Sequence, residues 1–145
     1  MLDFNKRSAT MALLEWKDSF SVTVPKYDNQ HKKLITLINE LHGAMSTGQG
    51  NAVLGKIFTE LLNYTKTHFA DEEAEFKKHS YPEYATHKLE HDKLTNEVVK
   101  LYNDFNSGRG SLSIETMNFL RNWLQNHIVG TDKKYAAYLT LKGVK

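Results

Sequence analysis

Seven histidines stand in this chain of 145 residues, and five of them fall at spacings that a helix turns into a shared face. His68 and Glu72 are four positions apart, as are His87 and His91. Successive helix residues rotate by about 100°, so positions i and i+4 look the same way. His31 sits on a stripe with Leu34, Ile35, Ile38 and Leu41, and His127 on one with Leu120, Trp123, Leu124 and Ile128. Asp132 follows His127 by five. Any one of these pairings arises often by chance, and a hydrogen-bonded core histidine or a solvated helix pair explains it. Together they put imidazole or carboxylate on the inward stripe of every helical segment. Burying such groups unpartnered costs several kcal/mol per ion, whereas buried charges are tolerated when they coordinate a metal. Five imidazoles, two bridging carboxylates and one bridging solvent oxygen leave two octahedral ions one position short of full. Nitrogen and oxygen donors admit several first-row metals. Two iron ions fit best, because carboxylate-bridged iron pairs occur in helical-bundle cores. Zinc competes on donor type but prefers four ligands.

The elements that must position these groups are helices. The first stripe runs through His31, Leu34, Ile38, Leu41, His42 and Met45, with Asp28 placed to cap its start and Gly48-Gln49-Gly50 to end it. The second carries Leu54, Phe58, Leu61, Tyr64, His68, Phe69, Glu72 and Phe76, and stops near Tyr81-Pro82, since the residue before proline disfavours helix. The third starts at about Pro82 and carries Tyr84, His87, His91, Leu94, Val98, Leu101 and Phe105, up to the loop Ser107-Gly108-Arg109-Gly110. The fourth carries Leu112, Met117, Leu120, Trp123, Leu124, His127 and Ile128. The expected fold is all-α, an up-down-up-down four-helix bundle in one domain. Residues 1–27 form a non-helical arm laid across it, 28–132 the bundle, and 133–145 a short C-terminal segment.

The spacing of five between His127 and Asp132 does not suit a regular helix, where it leaves the two about 140° apart. With Gly130 between them, it predicts a helix end or a π-type distortion. His42 returns to the face of His31 but about 16 Å along the axis, and His79 falls at the turn before Pro82. Both are read as non-ligands.

Composition narrows the remaining classes. With no cysteine, disulfides, thiolate zinc sites, iron–sulfur clusters and a cysteine nucleophile are excluded. Nineteen Lys and Arg against seventeen Asp and Glu give a net charge of +2, too small to point to nucleic acid. No stretch approaches the ~20 apolar residues of a membrane span, and Met1–Thr10 lacks the apolar run of a secretory signal. A cytoplasmic protein without membrane partners is expected.

Five motifs carry a family resemblance: Tyr-Asp-Asn-Gln-His at 27–31, His-Phe-Ala-Asp-Glu-Glu at 68–73, Tyr-Pro at 81–82, His-Lys-Leu-Glu-His at 87–91, and Trp-Leu-Gln-Asn-His-Ile-Val-Gly-Thr-Asp at 123–132. In this order and spacing, from about Trp16 to Tyr138, the chain resembles the hemerythrins, and among them the single-domain bacterial kind. The resemblance implies that His87, His91 and His127 bind one iron, which is six-coordinate. His31 and His68 bind the other, which keeps a vacancy. Glu72 and Asp132 bridge the two, together with an oxo or hydroxo group. It implies reversible binding of dioxygen, each ferrous ion lending one electron.

Trp123, Leu124 and Ile128 flank His127, Phe69 adjoins His68, and Leu34 follows His31 by one turn. They are expected to wall a dry oxygen pocket, although each also reads as ordinary core. Tyr135, one turn after Asp132, is expected at the pocket or behind a ligand, and Gln30, Glu90 and Asn126 are the acceptors nearest the ligating imidazoles in sequence. The leading function is oxygen storage, transport or delivery, with an oxygen-accepting protein partner left unidentified, and not catalysis. A sensor module, a di-iron oxidase, peroxidase or nitric oxide-handling enzyme, and a metal-free structural bundle are the alternatives. The short stretch after the bundle, Leu139–Lys145, favours a carrier over a sensor fusion.

Overall fold

The computed structural model describes residues 13–108 and 113–144. Met1–Thr10, Arg109-Gly110 and Leu112 of the fourth stripe lie outside the described residues. Helix α1 spans Pro25–Ser46, α2 Asn51–Lys78, α3 Tyr84–Asn106, α4 Ile114–Asn126 and α5 Lys133–Leu141, with a 3-10 turn at Asp18–Phe20. Among the described residues there is no strand, and no helix is long and apolar enough to cross a membrane. α1 packs on α2, α2 on α3, and α1 on α4, so the four helices form the expected bundle.

Local chemistry sets the helix ends. The turn between α1 and α2 needs a left-handed residue, which Gly48 provides at φ 73°. Ser113 caps α4 by accepting the Thr116 N–H at 3.2 Å. Two starts differ from the sequence expectation. α1 begins at Pro25, three residues before Asp28, because a proline at the first helical position loses no hydrogen bond and already has helical φ. Asp28 therefore does not cap the helix. Its carboxylate accepts from the Val22 N–H at 2.7 Å and the Ser21 hydroxyl at 2.6 Å, and so ties the arm down. α3 begins at Tyr84, with Pro82 in the preceding turn.

Over its described part, from Leu13 on, the arm lies across the bundle as a covering strap. Leu14 exchanges two backbone hydrogen bonds with the Asn39 side chain, at 3.0 and 2.7 Å. Val22 and Val24 are buried, and Lys133 Nζ donates to the Ser21 carbonyl at 2.9 Å. Residues His127–Asp132 form a π-helical turn that joins α4 to α5 without a break. The core falls into two apolar clusters. One centres on Leu34, Ile38, Phe58, Phe69, Met117 and Leu124, the other on Val24, Tyr27, Phe76, Tyr81, Tyr135 and Leu139.

Candidate metal centre

Between the two apolar clusters lies a polar cavity. His31 from α1, His68 and Glu72 from α2, His87 and His91 from α3, and His127 and Asp132 from the π turn all reach it, and none is more than 3% exposed. The i, i+4 pairs place their side chains together as helical rotation requires. The π turn does the same for the five-residue spacing, bringing Asp132 Oδ1 to 3.0 Å from His127 Nε2. His42 and His79 lie elsewhere: His79 Nε2 pairs with Glu75 at 2.9 Å, and His42 is part-exposed on α1.

The donor atoms fall into two overlapping groups. In one, Glu72, His87, His91, His127 and Asp132 each offer an atom within 4.8 Å of the others; in the second, His31, His68, Glu72 and Asp132 do. The shared carboxylates straddle both. Glu72 Oε1 lies 3.3 Å from His91 Nε2, while Oε2 lies 3.4 Å from His68 Nε2 and 3.6 Å from His31 Nε2. Asp132 Oδ1 lies 3.1 Å from His87 Nε2, while Oδ2 lies 3.0 Å from His31 Nε2. Despite these short approaches, the Nε2 atoms of His31, His68 and His87, Glu72 Oε1 and both Asp132 oxygens are buried without an aligned hydrogen bond. A buried polar atom left unmet costs about 1–3 kcal/mol. Six in one cavity, all nitrogen or carboxylate oxygen, suit a cation that each can face. The donor set fits a non-heme iron site.

Partners behind the imidazoles fix which nitrogen faces inward. His68 Nδ1 donates to Gln30 Oε1 at 2.6 Å, His91 Nδ1 to Glu73 Oε2 at 2.8 Å, and His127 Nδ1 to Glu90 Oε1 at 3.0 Å. The network thereby assigns the proton to Nδ1 and turns Nε2 to the cavity. Tyr135 donates its hydroxyl to Glu72 Oε2 at 2.5 Å. Burial, with Glu72 and Asp132 nearby, holds that phenol's pKa well above its usual value, so it stays a donor. Of the acceptors expected from sequence, Gln30 and Glu90 take this role, whereas Asn126 faces solvent. Glu73, which takes the same role for His91, is the acceptor that sequence reasoning misses. Its signal was its place in the 68–73 motif, one residue past Glu72.

Charge balance without a cation is kept by protons. Burial disfavours the His31 cation, but Asp132 and Glu72 outweigh burial and raise its pKa to about 9. His127 is raised to about 10, because Asp132 and Glu90 overcome the same burial. His68 is lowered to about 4, chiefly by burial. Burial opposes ionisation of Glu72 and Asp132, yet the surrounding imidazoles hold both below the usual carboxylate range.

Leu34, Phe69, Trp123, Leu124 and Ile128 are all buried in the first apolar cluster. Phe69 stacks flat on His91, centroids 3.8 Å apart at 4°, and lies tilted against His68 and His127. From the other cluster, Phe76 and Tyr135 lie against His87, and Tyr27 lies edge-on to His68. The polar cavity thus has apolar walls on both sides.

Comparison with known proteins agrees with this arrangement. The sequence profile described as "Hemerythrin HHE cation binding domain" matches residues 22–139. The chain is similar to the bacteriohemerythrin of Methylococcus capsulatus, 37% identical over 131 residues that make up 90% of this chain and 99% of that protein. It is 36% identical to the bacteriohemerythrin of Stenotrophomonas maltophilia over 87% of this chain and 81% of that protein. A crystal structure of wild-type hemerythrin superposes with a TM-score of 0.84 at 37% identity, covering 89% of this chain and 99% of that one. The bundle, the cavity and these likenesses agree: the chain belongs to the hemerythrin family.

Proposed function

We propose that the protein binds dioxygen reversibly at a pair of iron ions, for storage, transport or delivery, and is not an enzyme. The observation that supports this most is the pair of overlapping donor groups sharing Glu72 and Asp132, one with five donors and one with four. In this reading His87, His91 and His127 hold one ion, and His31 and His68 hold the other. Glu72 and Asp132, whose oxygens face both sets of imidazoles, would be shared between the two ions, and the His31–His68 set, with one imidazole fewer, would leave room there for a small ligand. When bound, the iron pair supplies that open position and two electrons that can be lent to dioxygen and recovered.

The chain's own residues set the conditions. Glu73, Glu90 and Gln30 hold the Nδ1 protons and keep Nε2 turned inward. Tyr135 keeps a proton on the edge of Glu72. Leu34, Phe69, Trp123, Leu124 and Ile128 exclude water, which protects lent electrons from loss. Five imidazoles against two carboxylates make the centre less anionic than a carboxylate-dominated one. It therefore stabilises high oxidation states poorly and favours release over oxygen activation.

The test is an optical titration of the anaerobically reduced, iron-loaded protein with dioxygen, followed by argon. A visible band that saturates at one dioxygen per two irons and vanishes on deoxygenation supports carriage. Irreversible change, or turnover with an added reductant, contradicts it and points to an oxidase, peroxidase or nitric oxide reductase.

A further inference from the structure

The two donor groups are backed differently. Behind His91 and His127 the Nδ1 partners are carboxylates, Glu73 on α2 and Glu90 on α3. Thr131 donates to the same Glu90 oxygen at 2.8 Å and holds that carboxylate in place. Behind His68 the partner is a neutral amide, Gln30. Its orientation is fixed because its nitrogen donates to Asp71 Oδ2 at 2.9 Å. His31 Nδ1 is buried with no partner. The shared Glu72 is uneven as well. Tyr135 donates to Oε2, the oxygen beside His31 and His68, whereas Oε1, facing His91, carries no hydrogen bond.

These differences act in one direction. A carboxylate on an imidazole Nδ1–H draws that proton and makes Nε2 a stronger donor to a cation. A neutral amide does so less, and an absent partner not at all. A phenol O–H on a carboxylate oxygen withdraws lone-pair density from it. Each contact either strengthens His91 and His127, two of the three imidazoles on one side, or weakens the donors around His31 and His68 on the other.

We propose that the centre fills in a fixed order, the first divalent cation entering among His87, His91 and His127, and that Glu73 and Glu90 are the positioning residues that impose it. The inference rests on the two-ion reading above. Its consequence is that the half-filled protein is a single species whose His31–His68 side stays empty. Dioxygen binding then follows cation supply with the second, weaker affinity.

The test is a zinc titration of metal-free, nitrogen-15-labelled protein, read by long-range proton–nitrogen correlation of the imidazoles and by calorimetry. The first equivalent should shift Nε2 of His87, His91 and His127, and the second those of His31 and His68, in two resolved steps. Glu73→Gln and Glu90→Gln keep an acceptor but remove its charge. Each should weaken the first step by about 10–100-fold and leave the second unchanged. Gln30→Glu should tighten the second step. Both sets shifting together, His31 and His68 shifting first, or first-step affinity unchanged in both glutamine variants would overturn the ordering while leaving two bound ions. Zinc that shifts no imidazole would remove the two-ion reading and the ordering with it.

Discussion

Protons and cations compete for the same atoms in this cavity, and that competition makes the individual residues measurable. His31 and His127, with pKa values raised to about 9 and about 10, carry protons at neutral pH in the metal-free protein. Filling both positions must displace them, one with each ion, so calorimetry in buffers of different ionisation enthalpy should report release of about two protons from these side chains near pH 7, in addition to those lost by bound solvent. The same shifts fix how metal-free stability depends on pH. Between their unfolded value of about 6.5 and their folded values, the native state holds protons that the unfolded chain has lost. Stability therefore falls as pH rises toward 9 and 10. His68 runs the other way. Its pKa is lowered to about 4, so stability also falls as pH drops from about 6.5 toward that value. Urea unfolding of metal-free protein should thus show a maximum near neutral pH; a flat profile from 6 to 10 would contradict these assignments. Tyr135→Phe keeps the ring against Phe76 and Tyr27 but removes the donor to Glu72. It should cost the metal-free protein about 1.5–3 kcal/mol, the range for a hydrogen bond to a charged group, checked by the same unfolding experiment. The convergence of these polar side chains was legible in sequence because helical spacing puts the five histidines and Glu72 on inward stripes, while the five-residue step to Asp132 signals the distortion that brings it in. Their Nδ1 partners were not, because each partner serves a histidine on another element. Gln30 adjoins His31 yet bonds His68, Glu90 adjoins His91 yet bonds His127, and Glu73 on α2 bonds His91 on α3. Adjacency in sequence names the wrong histidine, and only the packing of helices decides.

The helices divide the work of positioning, and the least regular segment does the most specific part. The His127–Asp132 spacing forecast a departure from α geometry, and the π turn is that departure, turning two residues five apart toward one another. Gly130 sits within it, but a Cβ there would meet nothing within 4 Å, and its φ is not left-handed. The turn is therefore held by the His127 and Asp132 contacts and the flanking helices rather than by glycine. Gly130→Ala should stabilise the protein by about 0.5–1 kcal/mol, the helix-propensity gain, with metal stoichiometry unchanged. Loss of a bound ion in that variant would show that the glycine itself is required. The ends of α1 and α3 were harder to place from sequence. Asp28 has the chemistry of a cap, but Pro25 already starts the helix and frees Asp28 to bind Ser21 and Val22. Pro82 could open a helix as readily as Pro25 does, yet it lies in the turn before Tyr84, a choice made by the chain around it.

At the scale of the whole molecule, the cavity separates what would otherwise be one core into two apolar clusters. The elements on either side are joined through the seven polar side chains, so a bound cation pair would link α1, α2, α3 and the π turn directly. Metal loading should therefore raise the thermal midpoint in proportion to the logarithm of free cation, and a chelator should reverse the rise. A midpoint that ignores metal would mean that the cavity does not grip it. Residues 21–24 of the arm and α5 cover the second cluster, with Lys133 and Thr140 reaching back to Ser21 and Thr23. Two ions sharing Glu72 and Asp132 are the core of the proposed function, and anomalous diffraction at the iron edge from crystals of iron-loaded protein tests this most directly. Two peaks are predicted, one in contact with His87, His91 and His127, the other with His31 and His68, both touching Glu72 and Asp132. A single peak with a complete shell, or iron bound away from these seven side chains, would contradict it.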